Sequence, residues 1–174
     1  MEIPKTQDTV YLKEISVPEG YKLNTESFNV KLETGKTTSV AVTNEEQKGK
    51  ITIRKKGEVL TGVTGEEGNL TFVYGNADFA GAEYNIYAAE DIYSQDKVTK
   101  VHKAGDLVES LTTGEDGSAV SKELYLGKYK VVEQKAPENL VIGKTEQERT
   151  QFLTLSYAGQ NVELSQGETV FTNA

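Results

Sequence analysis

Period-two alternation of apolar and polar residues runs through most of the chain. In Lys50–Lys55, Ile51, Ile53 and Lys55 fall on one face and Lys50, Thr52 and Arg54 on the other, the pattern of a strand with one packed face. Tyr84–Ala88 and Tyr125–Glu133 are rich in aromatic and β-branched residues and are bounded by Gly or Asp clusters, which favours strands. Phe152, Thr154 and Ser156 alternate with Leu153, Leu155 and Tyr157, so both faces of that strand carry bulk. Turn signals separate these runs at Gly65–Asn69, Glu115–Gly117, Ala158–Asn161 and Gln166–Gly167. Short strands punctuated at this spacing predict an all-β sandwich or barrel. One short stretch, Ala88 to Tyr93, is a helical candidate.

The pattern repeats. Val10–Tyr21 and Tyr129–Leu140 each carry an alternating strand that reaches a Glu (Glu14, Glu133), followed four residues later by a Pro and then a Glu. A Phe-led strand follows each, Phe28–Leu32 and Phe152–Leu155. Each copy closes on a strand ending in Thr-Asn, Ser39–Asn44 and Glu168–Asn173. A repeat of this length predicts tandem domains. The copies are unequal: strands precede Glu133 from about residue 49, and almost nothing precedes Glu14. Residues 1–47 therefore read as the C-terminal half of one domain and 48–174 as a complete second domain. A short charged linker, Glu45–Gly49, joins them and leaves little room for swivelling.

Composition narrows the chemistry. The 174 residues include no Cys, no Trp and one His, and 19 Lys+Arg against 27 Asp+Glu give a net charge of −8. Without Cys there are no disulfides, thiolate nucleophiles or Cys-based metal sites. A single His argues against His-rich metal sites and a serine-protease-type triad, and no cofactor is expected. The acidic balance disfavours nucleic acid and anionic membrane. No apolar run approaches the ~20 residues of a membrane span, and the start does not read as a signal peptide; an export signal or anchor is expected outside this chain.

Three polar residues sit where apolar ones are expected. Lys55 shares its face with Ile51 and Ile53. Glu133 follows Tyr129 and Val131 at period two. Asn173 ends the last strand, on a face with Phe171 and Thr169. Each would be costly to bury alone; together they form a reacting set. Burial disfavours charge, favouring a neutral amine on Lys55 and a protonated Glu133. Held in contact, the amine can attack the Asn173 side-chain carbonyl while Glu133 polarises it and shuttles protons, so that ammonia leaves. The product is an intramolecular Lys–Asn isopeptide bond, made once; a turnover enzyme is not expected.

Read in order, Lys48–Glu58, Gly81–Tyr87, Leu111–Gly117, Leu124–Tyr129, Glu133–Pro137 and Thr172–Asn173 resemble the collagen-adhesin B-type (SpaA-like, prealbumin-like) domains of Gram-positive surface adhesins and pilins. The resemblance implies an immunoglobulin-like or prealbumin-like β-sandwich with a first-strand Lys joined to a last-strand Asn beside a catalytic Glu. Those roles fall on Lys55, Asn173 and Glu133. It implies that Glu14 and Asn44 are the partial equivalents in residues 1–47, where the Lys is missing. It further implies a stalk or spacer module of a cell-wall-anchored, extracellular surface protein, with neighbouring domains of the same protein as partners. Glu138-Asn139-Leu140 departs from the Glu-Gly-Tyr kept at Glu19-Gly20-Tyr21, a change expected to alter a loop.

A second function, binding a host extracellular protein or a glycan, would use the longer connections around 57–69 and 93–106. Gly62, Gly65 and Gly68 read as a mobile loop, since no Lys-Ser/Thr or βα context makes a phosphate loop. Glu115-Asp116-Gly117 reads as a hairpin turn in preference to a calcium site, and His102 as a surface residue. Ile3-Pro4-Lys5 only faintly echoes the Pro-Lys of sortase-joined pilins.

Overall fold

The structure, a computed structural model that describes residues 9–173, contains thirteen strands and no helix among those residues; Ile3-Pro4-Lys5 lies outside them. β1 (Thr9–Lys13) and β2 (Ser27–Lys31) pair antiparallel as a separate two-stranded sheet. The remainder follows as β3 (Lys48–Glu66), β4 (Asn69–Asp78), β5 (Glu83–Ala88), β6 (Ile92–Tyr93), β7 (Lys100–His102), β8 (Leu107–Thr112), β9 (Ser118–Val120), β10 (Leu124–Tyr125), β11 (Gly127–Lys135), β12 (Thr150–Leu155) and β13 (Leu164–Asn173).

Two sheets face each other. β3 is the spine of the first, with β13 parallel on one side and β10, β9 and β4 antiparallel along the other. The second runs β12-β11-β5-β8. Inward residues of both make one core: Ile51 and Ile53 from β3, Phe171 from β13, Tyr84 and Ile86 from β5, Tyr129 and Val131 from β11, and Leu155 from β12. Each comes from an alternating position, so the period-two pattern translates directly into the buried face.

β3 departs from expectation. The segment read as a glycine-rich mobile loop continues as strand to Glu66 and returns through β4, with Leu60 opposite Tyr74 and Val63 opposite Phe72. Cross-strand pairing and apolar alternation sustain the ribbon although it leaves the sandwich body, and a bulge between Leu60 and Gly62 absorbs one residue. Gly65 (φ +113°) and Gly68 (φ +91°) serve the hairpin end. Ala88–Tyr93 forms no helix: Ala88 ends β5 and its carbonyl accepts from Gly105 N, so the acceptor that would close a first helical turn is already taken. Part of the 93–106 connection is also strand, where β6 pairs with β7.

Ser39–Asn44, expected as a closing strand, belongs to no sheet. Its counterpart β13 is held by β3, and residues 9–47 contain no strand in β3's place. The linker is better anchored than its charges suggest. The buried Gln47 side chain donates to Gly159 O (3.0 Å) and Val162 O (2.5 Å) and accepts from Ala158 N (2.7 Å). Lys22 N donates to Glu45 O, Gln47 N to Gly20 O, and Leu23 N to Gln160 O.

The repeat is also geometric. Tyr21 N donates to Pro18 O at 3.3 Å and Leu140 N to Pro137 O at 3.2 Å. The third residue of each turn has positive φ, Gly20 at +95° and Asn139 at +69°. Asn tolerates that region better than most residues, so the same turn survives the departure from Glu-Gly-Tyr.

Candidate functional site

Lys55, Glu133 and Asn173 meet between the sheets at one end of the sandwich. Lys55 is the fourth inward position of β3 after Gly49, Ile51 and Ile53; it is 0% exposed, while Lys56 points outward to Asp78. Glu133, on β11 of the opposite sheet, is 1% exposed. Asn173 lies at the end of β13, where the parallel register sets it against Gly57 and sets Phe171 against Lys55.

The carboxylate of Glu133 is the hub. Lys55 Nζ lies 2.8 Å from Glu133 Oε1, yet the amine makes no well-aligned hydrogen bond; the contact is a close ion pair with poor directionality. Asn173 Nδ2 donates to Oε1 and Oε2, both at 3.2 Å. Tyr84, the register partner of Glu133 on β5, places its hydroxyl 3.5 Å from Oε1, a long contact. The Tyr84 ring packs 4.8 Å from that of Phe171, which bridges the two sheets beside the site.

Burial dominates the electrostatics. Desolvation holds the Lys55 amine below its ordinary value of 10.5, opposed by its contact with Glu133. Desolvation, reinforced by the negative Glu133, pushes the Tyr84 phenol far above its usual range, so it keeps its proton and can only donate to the carboxylate. Chemically the site holds a desolvated amine and a primary amide, each within reach of one carboxylate. Tyr84 escaped notice as a member of this set because an inward Tyr on a strand reads as core; its signal was its alternation with Ile86 on the face opposite Lys55.

Glu14 and Asn44 are also brought together. Asn44 Nδ2 donates to Glu14 Oε2 at 2.5 Å and to Lys22 O at 3.2 Å, and Asn24 N donates to Glu14 Oε2 at 2.9 Å. Lys22 is turned to Glu45 and Glu163. Glu115-Asp116-Gly117 forms a turn in which Asp116 accepts from Ser118 N at 3.0 Å and Ser118 Oγ at 2.6 Å. No group of three or more metal-ligating acidic or His side chains occurs among the described residues.

Two facing sheets whose first and last core strands run parallel define a prealbumin-like β-sandwich. The chain matches the SpaA prealbumin-like fold domain over residues 5–46 and 73–153 and belongs to that family. Its backbone is similar to that of the Bacillus anthracis TIE protein, with a TM-score of 0.57 and 24% identity over 95% of this chain. It spans only 24% of that protein's length. Weaker similarity extends to the group B streptococcus pilus 2b backbone protein (TM-score 0.44, 18% identity, 92% of this chain and 51% of that one). The full-length major pilin SpaD from Corynebacterium diphtheriae is comparable (TM-score 0.46, 19% identity, 73% and 32%). No curated protein sequence matches the chain.

Proposed function

We propose that residues 48–174 are a spacer module of an extracellular, cell-wall-anchored adhesin or pilus of a Gram-positive bacterium, preceded in 1–47 by the C-terminal half of a similar domain. In this reading its strength comes from an isopeptide bond between Lys55 and Asn173. The observation that carries it is the convergence of Lys55 Nζ and Asn173 Nδ2 on the single buried carboxylate of Glu133. Membership of the SpaA prealbumin-like family agrees with a structural role.

The neutral Lys55 amine attacks Asn173 Cγ. Glu133 takes a proton from the attacking nitrogen and delivers it to Nδ2; the Cγ–Nδ2 bond breaks and ammonia departs. One amide replaces another, so no oxidant or cofactor is needed, and the groups are consumed in a single event. The bond would close a loop of 118 residue steps, from 55 to 173. By the chain-entropy argument such a crosslink stabilises by roughly 4–5 kcal/mol.

Intact mass of the purified chain beside its Glu133→Ala variant tests this. The expected result is a deficit of about 17 Da in the wild type alone, mapped to Lys55 and Asn173 by peptide analysis. A wild-type chain at full calculated mass would sink the reading.

One observation favours a second function, recognition of a host extracellular protein. On the β3–β4 arm, Leu70, Phe72 and Tyr74 alternate on one face beside their partners Leu60 and Val63, and all five are exposed. Exposed apolar clusters of this kind mark contact surfaces. Binding to immobilised extracellular-matrix proteins that disappears in Phe72→Ser/Tyr74→Ser would support it; binding unchanged by those substitutions would discard it.

A further inference from the structure

A buried tyrosine uses its ring for packing and its hydroxyl for a polar partner, and two inward tyrosines of the core do this differently. Tyr129 donates to the backbone carbonyl of Tyr125 at 2.6 Å, an ordinary structural bond. Tyr84 is 0% exposed and packs its ring 4.8 Å from that of Phe171. Among the described residues its hydroxyl has one hydrogen-bond partner, Glu133 Oε1 at 3.5 Å. A phenylalanine would make the same ring contact. The hydroxyl therefore serves the carboxylate and not the core.

The two oxygens of that carboxylate are not equivalent. Oε1 lies 2.8 Å from Lys55 Nζ and 3.2 Å from Asn173 Nδ2, whereas Oε2 accepts from Asn173 Nδ2 alone among the described residues. A proton passed from Nζ to Nδ2 through Oε1 needs no rotation of the carboxyl group, provided that Oε1 stays between the two nitrogens. Strand pairing fixes the Glu133 backbone opposite Tyr84, and the Tyr84 hydroxyl holds the oxygen at the far end of the side chain. Neighbouring charged groups point elsewhere: Lys135 pairs with Glu83, and Arg149, whose carbonyl accepts from Glu133 N, turns its guanidinium to Thr145 O.

We infer that Tyr84 is a positioning residue of the crosslinking reaction, holding Glu133 Oε1 between the Lys55 amine and the Asn173 amide and favouring the ionised carboxylate. The inference deepens the reading of Lys55, Glu133 and Asn173 given above and rests on it. Lys55 and Glu133 are competent when they share one proton. A second proton leaves the amine charged and the carboxyl neutral, with no base to release the amine. A hydrogen bond donated to the carboxylate favours its charged form and so extends the one-proton state to lower pH. Desolvation and the Glu133 charge hold the phenol far above its usual range, so this donor is present throughout. The 3.5 Å separation belongs to the site before reaction, where such bonds are often long and tighten as the reaction proceeds.

The test uses the full chain, wild type and Tyr84→Phe, assembled by chemical ligation so that it starts unfolded and uncrosslinked. Each is folded by dilution from guanidinium chloride over a series of pH values and quenched at intervals for intact mass. Circular dichroism of the same samples times folding separately from ammonia loss. Tyr84→Phe keeps the ring against Phe171 and should reach the same deficit of about 17 Da. It should do so about tenfold more slowly, with the acid limb of its rate–pH profile moved to higher pH. Tyr84→3-fluorotyrosine, which keeps the hydroxyl, should not share that move. Equal rates and profiles in wild type and Tyr84→Phe would overturn the inference. So would slowing by one factor at every pH, which marks a packing role, or the same displaced limb in the fluorinated chain. Each of these overturns the role of Tyr84 alone, whereas a folded wild type that keeps its full mass overturns the isopeptide reading with it.

Discussion

Phe171 lies directly opposite Lys55 in the parallel register of β3 and β13, which makes Gly57 the partner of Asn173. Period two places Asn173 on the same inward face as Phe171, and a residue without a side chain stands across from it. A Cβ on Gly57 would meet Leu140 Cδ1 at 2.5 Å and Phe79 Cε2 at 2.7 Å. Gly57→Val is expected to push the end of β3 away from the site, cost about 1–3 kcal/mol through overpacking and lower crosslink yield. Intact mass and chemical denaturation of the variant check both effects.

The buried pair can be dissected once the bond is removed. In an Asn173→Ala background, Lys55→Met leaves the Glu133 carboxylate buried and unpaired, at an expected cost of about 3–5 kcal/mol. Adding Glu133→Leu should recover most of that loss, because a well-packed apolar pair often equals or exceeds a buried ion pair. Urea unfolding of the three proteins gives both differences. Equal stability of the single and double Lys55 variants would show that the carboxylate is not truly isolated from solvent.

The depressed amine gives a pH signature of defined sign. Lys55 binds its proton more weakly folded than unfolded, so the unfolded chain takes up more protons between the lowered value and 10.5. Stability therefore rises with pH across that window and is lower beneath it, where the amine is charged in both states. The thermal midpoint of Asn173→Ala should climb through this range relative to Asn173→Ala/Lys55→Met, in which the contribution is absent. Parallel curves would contradict the shift.

Gln47 offers a test away from the site. Gln47→Leu strips Ala158 N, Gly159 O and Val162 O of their side-chain partner, and each lost hydrogen bond is expected to cost about 0.5–1.5 kcal/mol. Hydrogen exchange should accelerate at residues 158–162 and at Lys22–Leu23, while exchange in Ile51–Lys55 stays slow. Uniform acceleration across the chain would instead indicate global destabilisation.

The three converging side chains were legible because polar residues at inward positions of an alternating pattern are conspicuous; Lys55 after Ile51 and Ile53 and Glu133 after Tyr129 and Val131 violate the pattern in the same way. The β3–β4 arm was not legible, because alternation is informative when one face is buried. Leu60, Val63, Phe72 and Tyr74 are exposed in a ribbon whose glycines resemble those of a loop. Ser39–Asn44 failed for the opposite reason. Its alternation is intact, but a strand is defined by its partner, and residues 9–47 contain none for it. Tyr84 was hidden by plausibility, being as suitable for a core as for a hydrogen bond to Glu133.

The side chain of Gln47 has a consequence for length scale. A flexible tether lets each added module reorient, so that the span of a chain of modules grows only as the square root of their number. Where residues 9–47 and 48–173 are successive modules, as proposed, a junction closed by three hydrogen bonds to one buried amide, together with the Leu23–Gln160 backbone contact, would transmit the orientation of one module to the next. A series joined in this manner extends in proportion to module count, and the reach of its tip becomes a quantity written in the number of repeats.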